Sequence, residues 1–74
     1  MKTKLGKLLK NEFGNALKYF WVENDYLEKT IFVMRILIYG DYCEYVINDR
    51  KCSYFKGTSS AYYINIINKV LSNL

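Results

Sequence analysis

Eight tyrosines, two cysteines, seven carboxylates and no histidine are what this chain offers chemistry. The missing histidine removes the side chain that titrates near neutrality and supplies most general bases, many metal sites and the base of Ser-His and Cys-His pairs. Cys43 and Cys52 lie in two neighbouring strand-like runs. In the register implied by the turns they share a sheet face but stand diagonal, about 7 Å apart between α-carbons or a little more, which is marginal for a disulfide. With no histidine and no second cysteine pair, a zinc site would be incomplete. Both are expected to be free, buried thiols acting as small hydrophobes.

The carboxylates are no better placed. Glu23, Asp25, Glu28, Asp41 and Asp49 fall in or beside turns, where acids serve the backbone. Glu44 alone sits mid-strand, diagonal to Arg35, and a sheet-surface ion pair accounts for both. Gly6, Gly14, Gly40 and Gly57 are isolated and form no phosphate-cradling loop. No catalytic residue, cofactor or metal is expected, and the chain is read as a non-enzyme.

Two binding chemistries remain. Lys2, Lys4, Lys7, Lys10 and Lys18 make the first 18 residues strongly basic, against Glu12 as their single acid, whereas the rest of the chain is balanced; the net charge is +4. Those lysines, with Tyr19, Phe20, Trp21 and Tyr42 to stack on unpaired bases, are the ingredients of a weak nucleic-acid binder. Lysines also keep an amphipathic helix soluble, and aromatics also fill a small core. The second chemistry is protein recognition: Arg35, Tyr39, Tyr42, Glu44 and Tyr62 are expected outside the core, and tyrosine and arginine are enriched at protein interfaces. A Tyr-, Asn-, Ile- and Lys-rich composition is equally what an AT-rich coding genome produces.

These residues must be carried by one domain covering 1–74, since 74 residues leave no room for two. Hydrophobic residues make up 51% of the chain and proline is absent, which excludes disorder. Leu5, Leu8, Leu9 and Phe13 recur at helical spacing from Thr3, a candidate N-cap, to a stop at Gly14-Asn15. Leu17 to Val22 alternates as a strand, with a turn at Glu23-Asn24-Asp25. Residues 30–39 read as an interior strand, Gly40-Asp41 as a hairpin loop, and Tyr42 to Ile47 and Arg50 to Phe55 as strands joined by Asn48-Asp49. Gly57-Thr58-Ser59-Ser60 opens a last helix in which Ile64, Ile67, Leu71 and Leu74 share a face. The expectation is an α+β fold, a three- to four-stranded antiparallel β-meander flanked by an N-terminal and a C-terminal α-helix in the order α-β-β-β-β-α.

The register places Phe32, Met34, Ile36, Ile38, Cys43, Tyr45, Ile47, Cys52 and Tyr54 on the core face. The other face carries Val33, Arg35, Leu37, Tyr39, Tyr42, Glu44, Val46, Lys51, Ser53 and Phe55, too apolar for plain solvent. Either the N-terminal helix covers it in a three-layer monomer, or a partner does, a homodimer being the simplest. The apolar run Ile31 to Tyr39 is broken by Arg35 and far shorter than the ~20 residues of a membrane span. The lysines at the N-terminus interrupt any signal-like apolar stretch, so a cytoplasmic protein without membrane contact is expected.

A helix, a strand meander containing Glu44-Tyr45-Val46-Ile47-Asn48, and a closing helix in so short a chain resemble the small anti-CRISPR inhibitors made by phages and prophages. The resemblance implies an inhibitor that occludes a surface of a CRISPR-Cas effector in the bacterial cytoplasm. Such inhibitors often imitate DNA with acidic loops; here the matching loops hold Asp41 and Asp49 under a positive net charge. The leading expectation is therefore a non-enzymatic protein-binding module, and the alternative is a small basic nucleic-acid binder using the N-terminal helix.

Overall fold

The computed structural model describes residues 2–24 and 31–74. Helix α1 (Lys2–Phe13) leads through a 3₁₀ turn, Gly14–Ala16, into four strands: β1 (Leu17–Asn24), β2 (Ile31–Ile38), β3 (Asp41–Asn48) and β4 (Lys51–Lys56). Helices α2 (Thr58–Tyr62) and α3 (Ile64–Ser72) close the chain. The strands form one antiparallel sheet in the order β1-β2-β3-β4, the expected α+β meander with all four strands present.

Both helix layers lie on the same side of the sheet. Leu5, Leu9 and Phe13 of α1 and Ile67, Val70 and Leu71 of α3 join Phe32, Met34, Ile36, Ile38, Cys43, Tyr45 and Ile47 in one core. The three-layer arrangement is thus absent, and the shortest dimension of the molecule, 18 Å, accommodates one sheet and one helix layer. The choice of side follows from charge, since Arg35 and Glu44 share the opposite face and a helix laid there would have to desolvate them. Gly6 brings α1 close to β1: a Cβ there would stand 3.4 Å from the Phe20 ring.

Four local expectations are corrected. Thr3 lies inside α1, and Thr58, Ser59 and Ser60 lie inside α2, which has no side-chain cap. Glu23 and Asn24 extend β1 instead of turning; Asp25 and Thr30 lie outside the described residues. The hairpin loops are Tyr39-Gly40 and Asp49-Arg50, with φ of 52° and 77° in the first and 52° and 64° in the second. Positive φ at both central positions gives the twist that hairpins prefer, and Gly40 takes the second position without a Cβ penalty. Moving the first loop by one residue slides each strand by one, so Met34 pairs with Tyr45 and Ile36 with Cys43; the residues within β2 and β3 keep their expected faces, while Tyr39 leaves the outer face for the turn.

The β3–β4 pair behaves differently. Cys52 pairs with Ile47, but the next partners are Tyr54 and Val46, so Ser53 is an extra residue in β4. Its hydroxyl donates to the Val46 carbonyl at 3.2 Å. This bulge turns Tyr54 to the outer face and Phe55 to the helix side, the reverse of the expectation. Cys52 now lies opposite a residue four positions along β3 from Cys43, about 13 Å at the strand rise, too far for a disulfide. Both cysteines are free, and burial pushes both thiols up, away from the reactive thiolate.

Ser60 continues the sheet where β4 ends. Its Oγ accepts from the Glu44 N–H at 3.0 Å and donates to the Lys56 carbonyl at 2.5 Å, while its carbonyl accepts from the Tyr45 hydroxyl at 2.9 Å. Burial pushes the Tyr45 phenol far above its ordinary value near 10, and burial with a hydrogen bond to Asp41 pushes Tyr63 up to about 12. Above pH 10 the unfolded chain releases phenolic protons that the native protein retains, so stability falls as pH rises. Below that pH the contribution is fully present. The urea midpoint is expected to stay level from neutrality to about pH 9.5 and then fall, Tyr45 alone contributing about 1.4 kcal/mol per pH unit. Tyr45→Phe should remove about half of that slope between pH 10 and 12, where Tyr63 supplies the rest; a midpoint still level well above pH 10 would contradict both raised phenols.

Candidate functional site

Sheet periodicity builds a platform on the face that no helix covers. Register puts Tyr19, Leu37 and Tyr42 in one row across the strands, Trp21, Arg35, Glu44 and Lys56 in the next, and Glu23, Val33, Val46 and Tyr54 in the third. Four aromatic side chains stand out of it, Tyr19, Trp21, Tyr42 and Tyr54, each between 45% and 61% exposed. Such exposure is unusual for rings that together carry several hundred Å² of apolar surface.

A polar network crosses its centre. Arg35 Nη1 donates to Glu23 Oε2 at 2.9 Å, Arg35 Nε donates to Glu44 Oε2 at 3.4 Å, and the Tyr42 hydroxyl donates to the same Glu44 oxygen at 3.1 Å. The Glu23 hydrogen bond is the main reason that the Arg35 guanidinium is held above its ordinary range. Partial burial and the bond to Glu44 together raise the Tyr42 phenol. Ion pairs this exposed contribute roughly 0–1 kcal/mol to folding, so the network does more to fix the Arg35 fork and the Tyr42 ring than to hold the sheet together.

Arg35, Tyr42 and Glu44 are therefore brought together as expected, with Arg35 and Glu44 directly opposite instead of diagonal. Tyr39 and Tyr62 are not part of this patch. Tyr39 heads the β2–β3 turn, its N–H bound to the Ala16 carbonyl at 3.2 Å, and its ring stacks on Tyr63 with centroids 6.2 Å apart. Tyr62 meets Tyr63 edge-on at 5.0 Å, and Phe13 meets Tyr39 and Tyr63 edge-on. These residues form a second aromatic cluster at one end of the sheet, on the helix side.

No protein family, curated protein or solved structure matches the chain. Among the described residues no group of three His, Cys, Asp or Glu side chains is placed to hold a metal, and no helix is long and apolar enough to cross a membrane. Lys4, Lys7 and Lys10 are exposed on the outward side of α1, and Lys4 Nζ donates to the Leu74 main-chain oxygen at 2.9 Å. Lys2 opens the same helix. The sheet separates Lys4, Lys7 and Lys10 from Tyr19, Trp21 and Tyr42, and Phe20 points toward α1, so these lysines and the stacking rings do not share a groove.

Sequence reasoning missed Glu23, Trp21, Tyr19 and Tyr54 as members of the patch. The alternation of Tyr19, Trp21 and Glu23 against Phe20 and Val22 was a usable signal for three of them. Tyr54 had none, because its direction depends on the bulge at Ser53.

Proposed function

We propose that this protein is a non-enzymatic binding module that docks the open face of its sheet onto another protein. One observation carries the reading: four exposed aromatic rings surround an arginine held between Glu23 and Glu44, on a face that neither helix layer covers. Tyr, Trp and Arg are the side chains on which interface energy concentrates, and a guanidinium already fixed loses little freedom on binding. The two carboxylates of the platform are matched by Arg35 and Lys56, so this face carries no excess positive charge to draw a phosphate backbone.

A second copy is a poor fit for the partner. Four strands about 4.8 Å apart and eight residues of about 3.3 Å give a face of about 500 Å², so that two stacked faces bury less than a standard interface. A larger protein reaches past the sheet edges. The finer reading, an inhibitor that occludes a CRISPR-Cas effector, draws its support from the order of elements and is tested by phage plating on a host that carries such an effector.

Salt dependence distinguishes protein docking from nucleic-acid binding. Anisotropy of labelled single and double strands should show at most weak binding at low salt, with log affinity falling by about 0.7–0.9 per contacted phosphate for each unit of log salt. That binding should be unaffected by Trp21→Ala, since the lysines of α1 lie across the sheet from Trp21. Strand binding that persists at physiological salt and is lost in Trp21→Ala would overturn the proposal in favour of a nucleic-acid platform.

A further inference from the structure

Tyr39 and Tyr62 are left over from the platform, and the cluster they form borders an open cleft of about 350 Å³ lined by Asp41, Thr58, Ser59, Tyr62 and Tyr63. We propose that this cleft binds a guanidinium or alkylammonium group, the head of an arginine or lysine side chain of a peptide. The inference is independent of the outer-face proposal, because Asp41 pairs with the buried Ile38 and so belongs to the helix side of the sheet.

Charge sets the class of ligand. Asp41 is the one acidic side chain among the lining residues, and no basic side chain among the described residues pairs with it. Its Oδ2 accepts from the Tyr63 hydroxyl at 3.0 Å, which fixes the carboxylate, while its Oδ1 takes no hydrogen bond from the described residues. The hydroxyls of Thr58 and Ser59 make no side-chain hydrogen bond there either, which leaves two neutral acceptors beside one anionic oxygen.

Rings complete the site. Tyr63 is buried and clamped between Phe13, Tyr39 and Tyr62, so its orientation is set before any ligand arrives. Tyr62, 81% exposed and edge-on to Tyr63 at 5.0 Å, lines the same cleft as Asp41. A carboxylate joined to the electron-rich faces of aromatic rings is the combination that selects cations over neutral groups of the same shape. The volume admits a planar guanidinium and the methylenes behind it, and an anionic ligand is repelled by Asp41.

Amide spectra of the labelled protein during titration with methylguanidinium test this, with sodium chloride as the ionic-strength control and methylurea as the neutral isostere. Saturable shifts are expected at Asp41, Thr58, Ser59, Tyr62 and Tyr63, with methylurea inert and capped arginine binding at least as tightly. Asp41→Asn should weaken binding at least about tenfold, the effect of losing a charged hydrogen-bond partner. Tyr62→Ala, at an exposed position that cannot endanger the fold, should weaken it about two- to fivefold. Shifts equal for methylurea, or unchanged in Tyr62→Ala and Asp41→Asn, would overturn the cation site. Capped arginine excluded while methylguanidinium binds would overturn its assignment to a peptide side chain.

Discussion

Replacing Trp21 and Tyr42 together by alanine is expected to abolish partner capture from lysates of the source organism while leaving the protein folded. Each ring stands about half exposed on the open face, so its removal leaves no cavity. Truncating two half-exposed rings costs about 1–3 kcal/mol in all, less than the domain holds, and loss of the Tyr42 bond to Glu44 adds little at a solvated site. Hot-spot aromatics, by contrast, cost about 2 kcal/mol or more each at an interface, so the pair should lose at least about a hundredfold in affinity. Lys7→Ala with Lys10→Ala, on the far side of the molecule, serves as the control and should leave capture unchanged. Equal capture by both double variants, with circular dichroism unaltered, would remove the outer face from consideration.

Ile36→Ala is expected to bring the protein to the edge of unfolding, whereas Leu37→Lys, one residue away, should be tolerated. Ile36 is fully buried at the centre of β2, between Phe20 and Cys43 in register and beneath the helix layer. Truncating a buried isoleucine costs about 2–5 kcal/mol, through lost burial and the cavity left behind. A domain of 74 residues holds about 4–11 kcal/mol in total, so the melting temperature should fall by roughly 10–30 °C. Leu37 points to the open face, where the stem of a lysine can lie along Tyr19 and Tyr42 with its ammonium in water. Thermal melts of the two variants therefore report the sidedness of the sheet. Comparable losses in both would mean that something covers the outer face.

Much of this architecture was legible because β periodicity survives errors in the loops. Displacing the β2–β3 turn by one residue on each strand kept Phe32, Met34, Ile36 and Ile38 on one side and Arg35 and Leu37 on the other. The bulge at Ser53 was not legible: an extra residue in a half-exposed edge strand leaves no mark in a pattern where both faces of β4 mix polar and aromatic residues. Neither was the break between α2 and α3 at Tyr63, whose ring is drawn into the Phe13–Tyr39 cluster. Glu23 was lost because Glu-Asn-Asp reads as a turn, whereas Arg35 across the sheet gives Glu23 a reason to remain in the strand. Those three misreadings concern the site more than the core. Tertiary partners decide where half-exposed residues point, while burial alone decides the core.

The central claim, that the open face is the docking surface, is tested most directly by photo-crosslinking in living cells of the source organism. A photoreactive phenylalanine analogue replaces Tyr54 or Tyr19 on the platform, or Lys7 or Lys69 on the helix side. One discrete adduct, heavier than a pair of these chains, is expected from positions 54 and 19 and none from positions 7 and 69. Adducts from the helix side alone, or a platform adduct of twice the mass of the chain, would contradict it.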